Sequence, residues 1–152
     1  MLRFGYNKIG TVLLYAGGEG SGKGCAVIDL MCKAIISDRY TFVCTDLKRF
    51  TGRFSAHRAN KILVVMNECV DITKNNRLDF DKVKAMITDE EFACERKNKA
   101  MHMAKETAAY VFISNWETCV RLGNGDRRYA CSRISDKHKG DHEYFKKLCA
   151  AI

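Results

Sequence analysis

Thr11-Val12-Leu13-Leu14-Tyr15-Ala16-Gly17-Gly18-Glu19-Gly20-Ser21-Gly22-Lys23-Gly24-Cys25 sets an apolar run, a glycine-rich turn and a lysine in immediate succession. The spacing Gly17-x4-Gly22-Lys23, with a strand before it and an amphipathic stretch to Ile36 after it, reads as a phosphate-binding loop. Small residues let successive backbone N–H groups curl around the β- and γ-phosphates, the following helix points its positive end at them, and Lys23 adds a mobile charge. Gly17, Gly18, Glu19, Gly20, Ser21, Gly22, Lys23, Gly24 and Cys25 are therefore the candidate nucleotide-binding residues. One position departs from the usual pattern. Gly24 and then Cys25 stand where a Ser or Thr hydroxyl would bind Mg²⁺, and neither side chain offers a hard oxygen.

Outward from the loop, short apolar runs alternate with polar segments of helical period. The runs are Thr11 to Ala16, Tyr40 to Cys44, Ile62 to Met66 and Tyr110 to Ser114, with a fifth strand predicted at Arg128 to Ile134. The alternation predicts an α/β fold with a five-stranded, mostly parallel sheet flanked by helices. Val27, Ile28, Met31, Ala34 and Ile35 predict the inner face of the helix after the loop, closed by Ser37-Asp38. Phe80, Val83 and Ile87 mark a shorter helix after an Asn75-Asn76 turn, and Asp141 to Ala150 a last one with Tyr144, Phe145 and Leu148 inward. Glu91 to Lys105 is dense in charge and poor in branched apolar residues, and reads as an excursion from the core.

The 152 residues fit one domain, and 47% hydrophobic with 29% charged residues excludes disordered and fibrous classes. A formal charge of +8 favours a polyanionic partner. The eight cysteines form no C-x-x-C pair, so neither a zinc site nor a redox motif is indicated, and most read as small buried hydrophobes. Without a secretory leader or an apolar run long enough to span a membrane, the chain is expected in a reducing, cytoplasmic compartment, with no membrane partner.

The run Lys61 to Met66 delivers Asn67-Glu68 to the end of a buried strand, where ligands sit in open α/β sheets. Glu68 is the candidate base that polarises an attacking water, and Asn67 stands where an aspartate more often holds Mg²⁺ through a water. A solvated strand end is the plainer reading. Val111-Phe112-Ile113-Ser114-Asn115 repeats the design, with Asn115 able to bond a γ-phosphate or the water, although Ser-Asn at a strand end is also a common turn former. In Gly125-Asp126-Arg127-Arg128 the two guanidiniums suit either an arginine that neutralises charge in a neighbouring subunit's site or an ordinary salt bridge.

This ordered set resembles superfamily 3 helicases, most closely the helicase part of pox-like phage, plasmid and large-virus primase-helicases. The resemblance runs through the loop at 17 to 23, Phe50-Thr51-Gly52-Arg53-Phe54-Ser55-Ala56-His57, Asn67-Glu68, and Ile87-Thr88-Asp89 leading to Glu95-Arg96-Lys97. It continues through Ser114-Asn115, Asp126-Arg127-Arg128-Tyr129, and Ser135-Asp136-Lys137 to Asp141-His142-Glu143-Tyr144-Phe145. It implies an AAA+-like P-loop ATPase core that binds ATP and Mg²⁺, forms a hexameric ring and moves along single-stranded DNA in viral or phage replication, beside a primase domain or other replication proteins. It also implies a basic pore hairpin inserted near 91–105, which makes Arg96, Lys97 and Lys99 the DNA-contact candidates and puts Met101 or His102 near its tip. Lys23 would grip phosphate, Glu68 activate water, Asn115 sense the γ-phosphate, and Arg127 or Arg128 serve the adjacent subunit. The family's helical collar has no counterpart in this chain, as in an excised or compacted core.

Two rival classes fit parts of the pattern. Nucleoside-monophosphate kinases carry Gly-x-Gly-Lys-Gly in the same loop, but with a Thr where Cys25 stands and with an arginine-rich lid. A non-hydrolysing nucleotide- or DNA-binding module fits the loss of both magnesium-binding side chains, at Gly24 and Asn67.

Overall fold

The computed structural model describes residues 8–69, 77–115 and 126–151. Its centre is a five-stranded sheet built from β1 (Val12–Ala16), β2 (Thr41–Cys44), β3 (Leu63–Met66), β6 (Ala109–Ser114) and β7 (Tyr129–Arg133), in the order β2-β3-β6-β1-β7. All four pairings are parallel. The five apolar runs therefore became the five strands, each within a residue or so of its expected ends. β4 (Glu91–Cys94) and β5 (His102–Lys105) form a separate antiparallel ribbon, in which Glu91 faces Lys105 and Cys94 faces His102.

Parallel strands covered on both faces need apolar residues at successive positions, and β3, Leu63-Val64-Val65-Met66, is buried throughout. Its alternate side chains enter two cores. Val64 and Met66 join Val12, Leu14, Tyr110 and Phe112 under α2 (Leu47–Phe50) and α3 (Arg77–Thr88), where Phe50, Val83 and Ile87 are fully buried. Leu63 and Val65 join Val111 and Ile113 on the other face under α1 (Cys25–Ile36), through Val27 and Cys32. Phe50 meets Tyr110 and Phe112 edge-on, with centroids 6.1 and 5.9 Å away.

Several expectations change. α1 is wound in the wider π register, so its inner face passes through Val27, Ile28, Met31, Cys32 and Ile36, while Ala34 and Ile35 turn to solvent. α4 spans His142–Ala150 with Asp141 as its N-cap, Oδ1 accepting the Tyr144 N–H at 2.9 Å. Tyr144 faces outward and stacks on His138 at 3.8 Å, leaving Phe145 and Leu148 half-buried. Cys32, Cys44, Cys69 and Cys94 are buried, but Cys131 and Cys149 are exposed. Asn75-Asn76, Gly125, Cys119 and the side chain of Phe80 lie outside the described residues. Among the described residues no helix is long and apolar enough to cross a membrane.

Candidate functional site

The glycine loop leaves the C-terminal end of β1 between two parallel neighbours. Gly17 N–H donates to Ser114 O at 3.2 Å at the end of β6, and Ile134 N–H donates to Ala16 O at 2.8 Å just past β7. This is the crevice at the carboxyl ends of parallel strands, where the chain order departs to either side of β1. Gly20 and Gly22 take φ of 77° and 85°, which turns the main chain back on itself before α1 begins. Lys23, 6% exposed, folds over the loop and donates to Gly17 O at 2.8 Å, Gly18 O at 2.7 Å and Ser21 Oγ at 3.1 Å. Burial lowers its pKa below the usual lysine value, an effect opposed by the nearby Asp136 carboxylate and strengthened by Lys139.

The two other polar strand ends lie on the same edge. Asn67 N–H donates to Cys44 O at 2.8 Å, and Cys69 N–H donates to Ile113 O at 2.7 Å, so the turn Asn67-Glu68 hangs between β2 and β6. Ser114 Oγ donates to Cys69 O at 2.7 Å and ties that turn to β6. Glu68 takes φ of 58° and is exposed, as is Asn115. The structure thus brings the loop, Glu68 and Asn115 to one rim of the sheet. Arg127 and Arg128 are not there: Arg128 O accepts the Val12 N–H at 2.7 Å, which places them at the opposite, N-terminal rim. Arg128 forks onto Asp126, Nε to Oδ1 at 2.9 Å and Nη2 to Oδ2 at 3.0 Å, which holds the Asp126 carboxyl below its usual pKa. The salt-bridge reading of Arg128 is the one realised within the chain, and Arg127 is exposed.

The basic excursion is a true hairpin, with Arg96, Lys97 and Lys99 exposed in its turn. Asn98, at φ 61°, and the Lys99 N–H to Arg96 O bond of 3.2 Å close the tip there. Met101 and His102 instead lie where the chain returns into β5. The hairpin base is fastened to the connector after α2: Ser55 Oγ donates to Ala93 O at 2.6 Å and accepts the Glu95 N–H at 3.1 Å. Arg53 Nε meets both Glu95 oxygens at 2.7 and 2.9 Å. Arg58 Nη1 reaches Glu106 Oε2 at 3.0 Å and Tyr110 Oη at 3.1 Å under the hairpin's end. A cavity of about 410 Å³ separates the hairpin from α3, lined by Arg58, Phe92 and Met103 among others.

A second layer over the loop was not foreseen as part of the site. The chain after β7 folds back so that Gly140 N–H donates to Gly20 O at 3.2 Å, and α4 brings the Phe145 ring onto Gly22. Asp136 and Lys139 flank Gly18. Cys149 Sγ lies 3.1 Å from Cys25 Sγ at the start of α1. The signal in the sequence was a polar turn ending in Gly140 after the last strand, with nothing to say which surface it would meet.

A family of unknown function, DUF5906, matches residues 15–128, from the end of β1 to the start of β7. The chain belongs to that family. This DUF5906 chain is 29% identical over 123 residues, 80% of its length, to the DNA primase-polymerase of Nitratiruptor phage NrS-1, of which it spans 17%. The apo structure of the NrS-1 C-terminal region (305–718) superposes with a TM-score of 0.78 at 25% identity, covering 95% of this DUF5906 chain and 35% of that one. The A form of the same region gives 0.77 at 24% identity over 95% and 35%. The α/β fold with its five-stranded parallel sheet is therefore shared with the C-terminal region of a phage primase-polymerase.

Proposed function

We propose that the chain is the ATP-hydrolysing core of a superfamily 3 type DNA helicase or translocase, acting in phage or viral DNA replication. One observation carries the reading: the glycine loop with Lys23 leaves β1, and the adjacent β6 and the next strand, β3, bring Asn115 and Glu68 to the same rim. Likeness to the C-terminal region of a phage primase-polymerase supports the replication setting.

In this reading the loop amides from Gly18 to Lys23 take up the β- and γ-phosphates of ATP, and Lys23 turns its ammonium from its own carbonyls to phosphate oxygens. Glu68 accepts a proton from the attacking water, and Asn115 orients that water against the γ-phosphate. Magnesium supplies charge neutralisation on the phosphates. When bound, it would be held by the Glu68 carboxylate with Asn67 as a neutral ligand, and Gly24 would bring none. Arg127, exposed on the opposite rim, serves the site of the next subunit in a hexameric ring, while Asp126 fixes Arg128 beside it. Arg96, Lys97 and Lys99 at the hairpin tip contact the phosphates of single-stranded DNA without reading its sequence. The working compartment is the host cytoplasm.

The second reading is a nucleotide-binding module without turnover, which the chemistry at Gly24 and Asn67 favours. ATP hydrolysis measured with and without single-stranded DNA separates them. Turnover stimulated by DNA and lost about a hundredfold or more in Glu68→Gln supports the motor. Binding without turnover in the unmodified chain supports the module, and transfer of phosphate to a nucleoside monophosphate supports neither.

A further inference from the structure

The turn after β7 is docked on the phosphate loop by more than apolar contact. Residues Asp136–His138 form a short 3₁₀ turn capped by Ser135, whose Oγ accepts the Lys137 N–H at 3.2 Å. Lys139 N–H then bonds Asp136 O at 2.9 Å, and Gly140, at φ 74°, sends its own N–H to Gly20 O at 3.2 Å. The outcome is a fixed place for the Lys139 backbone beside the loop. A Cβ on Gly18 would stand 3.2 Å from Lys139 Nζ, and one on Gly20 would stand 3.8 Å from Lys139 Cγ.

Two ammonium groups therefore meet at Gly18. Lys23 reaches it from the loop itself, donating to Gly18 O at 2.7 Å, and Lys139 lies over its open face. Lys23 spends its three donors on loop oxygens, whereas Lys139 is exposed and, among the described residues, its ammonium pairs with no carboxylate. Like charges held beside a glycine turn repel; the Asp136 carboxylate, whose Oδ1 also lies against Gly18, offsets part of that repulsion, and a bound phosphate would offset more. The same site lacks the two side chains that would usually hold a divalent cation on the phosphates, since Gly24 replaces a hydroxyl and Asn67 a carboxylate.

We propose that Lys139 is a second phosphate-contacting residue, which with Lys23 brackets the polyphosphate of a nucleoside triphosphate. This rests on the reading of Gly17 to Gly24 as a nucleotide site. It makes the segment after β7 part of the ligand site, and the charge of the phosphate chain the property that the site reads.

The test is equilibrium binding of ATP, ADP and adenosine to the full chain and to Lys139→Gln, Lys139→Arg and Lys137→Gln. Lys139→Gln is expected to weaken ATP about tenfold, ADP less, and adenosine not at all, in line with the loss of one charge-assisted contact. Lys139→Arg is expected to stay within about threefold of the unmodified chain, since the cation is kept. Lys137→Gln removes the same charge from the same turn and is expected to leave ATP affinity unchanged. Equal losses in Lys137→Gln and Lys139→Gln, or none in Lys139→Gln, overturn the role of Lys139 while leaving the nucleotide reading in place. Failure of the unmodified chain to bind ATP overturns both.

Discussion

Phe145 covers the face of Gly22 that a side chain would occupy: a Cβ on Gly22 would come within 2.1 Å of the ring. Gly22 also holds φ at 85°, so the position excludes other residues twice, by backbone and by contact. Gly22→Ala is expected to cost about 1–2 kcal/mol from the left-handed backbone. It also has to push aside a ring that is only half-buried. Urea unfolding of Gly22→Ala and of Gly22→Ala with Phe145→Ala checks this. The double variant should recover only the steric part, which leaves the backbone cost.

Cys25 and Cys149 report directly on the seating of α4 against α1, with their sulfurs 3.1 Å apart. The hydrogen bond between Cys25 and Cys149, then burial, pushes the Cys25 thiol up to about 11. A raised pKa means less thiolate at neutral pH, so alkylation of Cys25 should be slow there and faster in Cys149→Ser. A diazene oxidant, which takes up both thiol hydrogens and both electrons, should give a cross-linked peptide pair containing residues 25 and 149. Gly22→Ala, by unseating α4, should slow that cross-link. Cross-links scattered over Cys131 instead would contradict the placement of α4.

Arg58 and Glu106 are an ion pair inside the protein, 3.0 Å apart with side chains 6% and 1% exposed. Removing one partner leaves a buried charge, so Glu106→Ala should lose about 3–5 kcal/mol in denaturant unfolding. Replacing both by apolar residues, Arg58→Met with Glu106→Leu, should recover most of it. Because Arg58 also stacks on Phe92 at 4.4 Å, the single variant should loosen the hairpin base as well, seen as faster amide exchange in β4.

At the hairpin tip, Arg96, Lys97 and Lys99 are exposed cations on a two-stranded ribbon. Changing the three to Gln should weaken single-stranded DNA binding and flatten its dependence on salt. For three lost phosphate contacts the slope of log K against log salt should fall by roughly 2. Anisotropy titrations over a range of salt give the slope. An unchanged slope would move the DNA contact elsewhere.

How much of this was legible differs from part to part. The sheet was readable because strands buried on both faces, such as Leu63-Val64-Val65-Met66, need unbroken apolar runs, and those stand out in a polar chain. The rim was readable because Asn67-Glu68 and Ser114-Asn115 each follow such a run directly. The face of α1 was misjudged at Ala34 and Ile35 because helical spacing assumes the ordinary α turn, and the π register rotates later residues away. Tyr144 was expected inward, yet His138 offers its ring a partner on the surface. The lid of Asp136, Lys139 and Phe145 over the loop joins residues more than a hundred positions apart, a relation that neither periodicity nor motif spacing encodes.

The nucleotide reading turns on Gly17 to Gly24 binding the phosphates of ATP through Lys23. Calorimetric titration of ATP into the unmodified chain and into Lys23→Ala, each checked for native circular dichroism, tests it most directly. Saturable binding by the unmodified chain is expected, weakened about tenfold or more when the charged contact is removed. No binding by the unmodified chain, or equal binding by both, would contradict it.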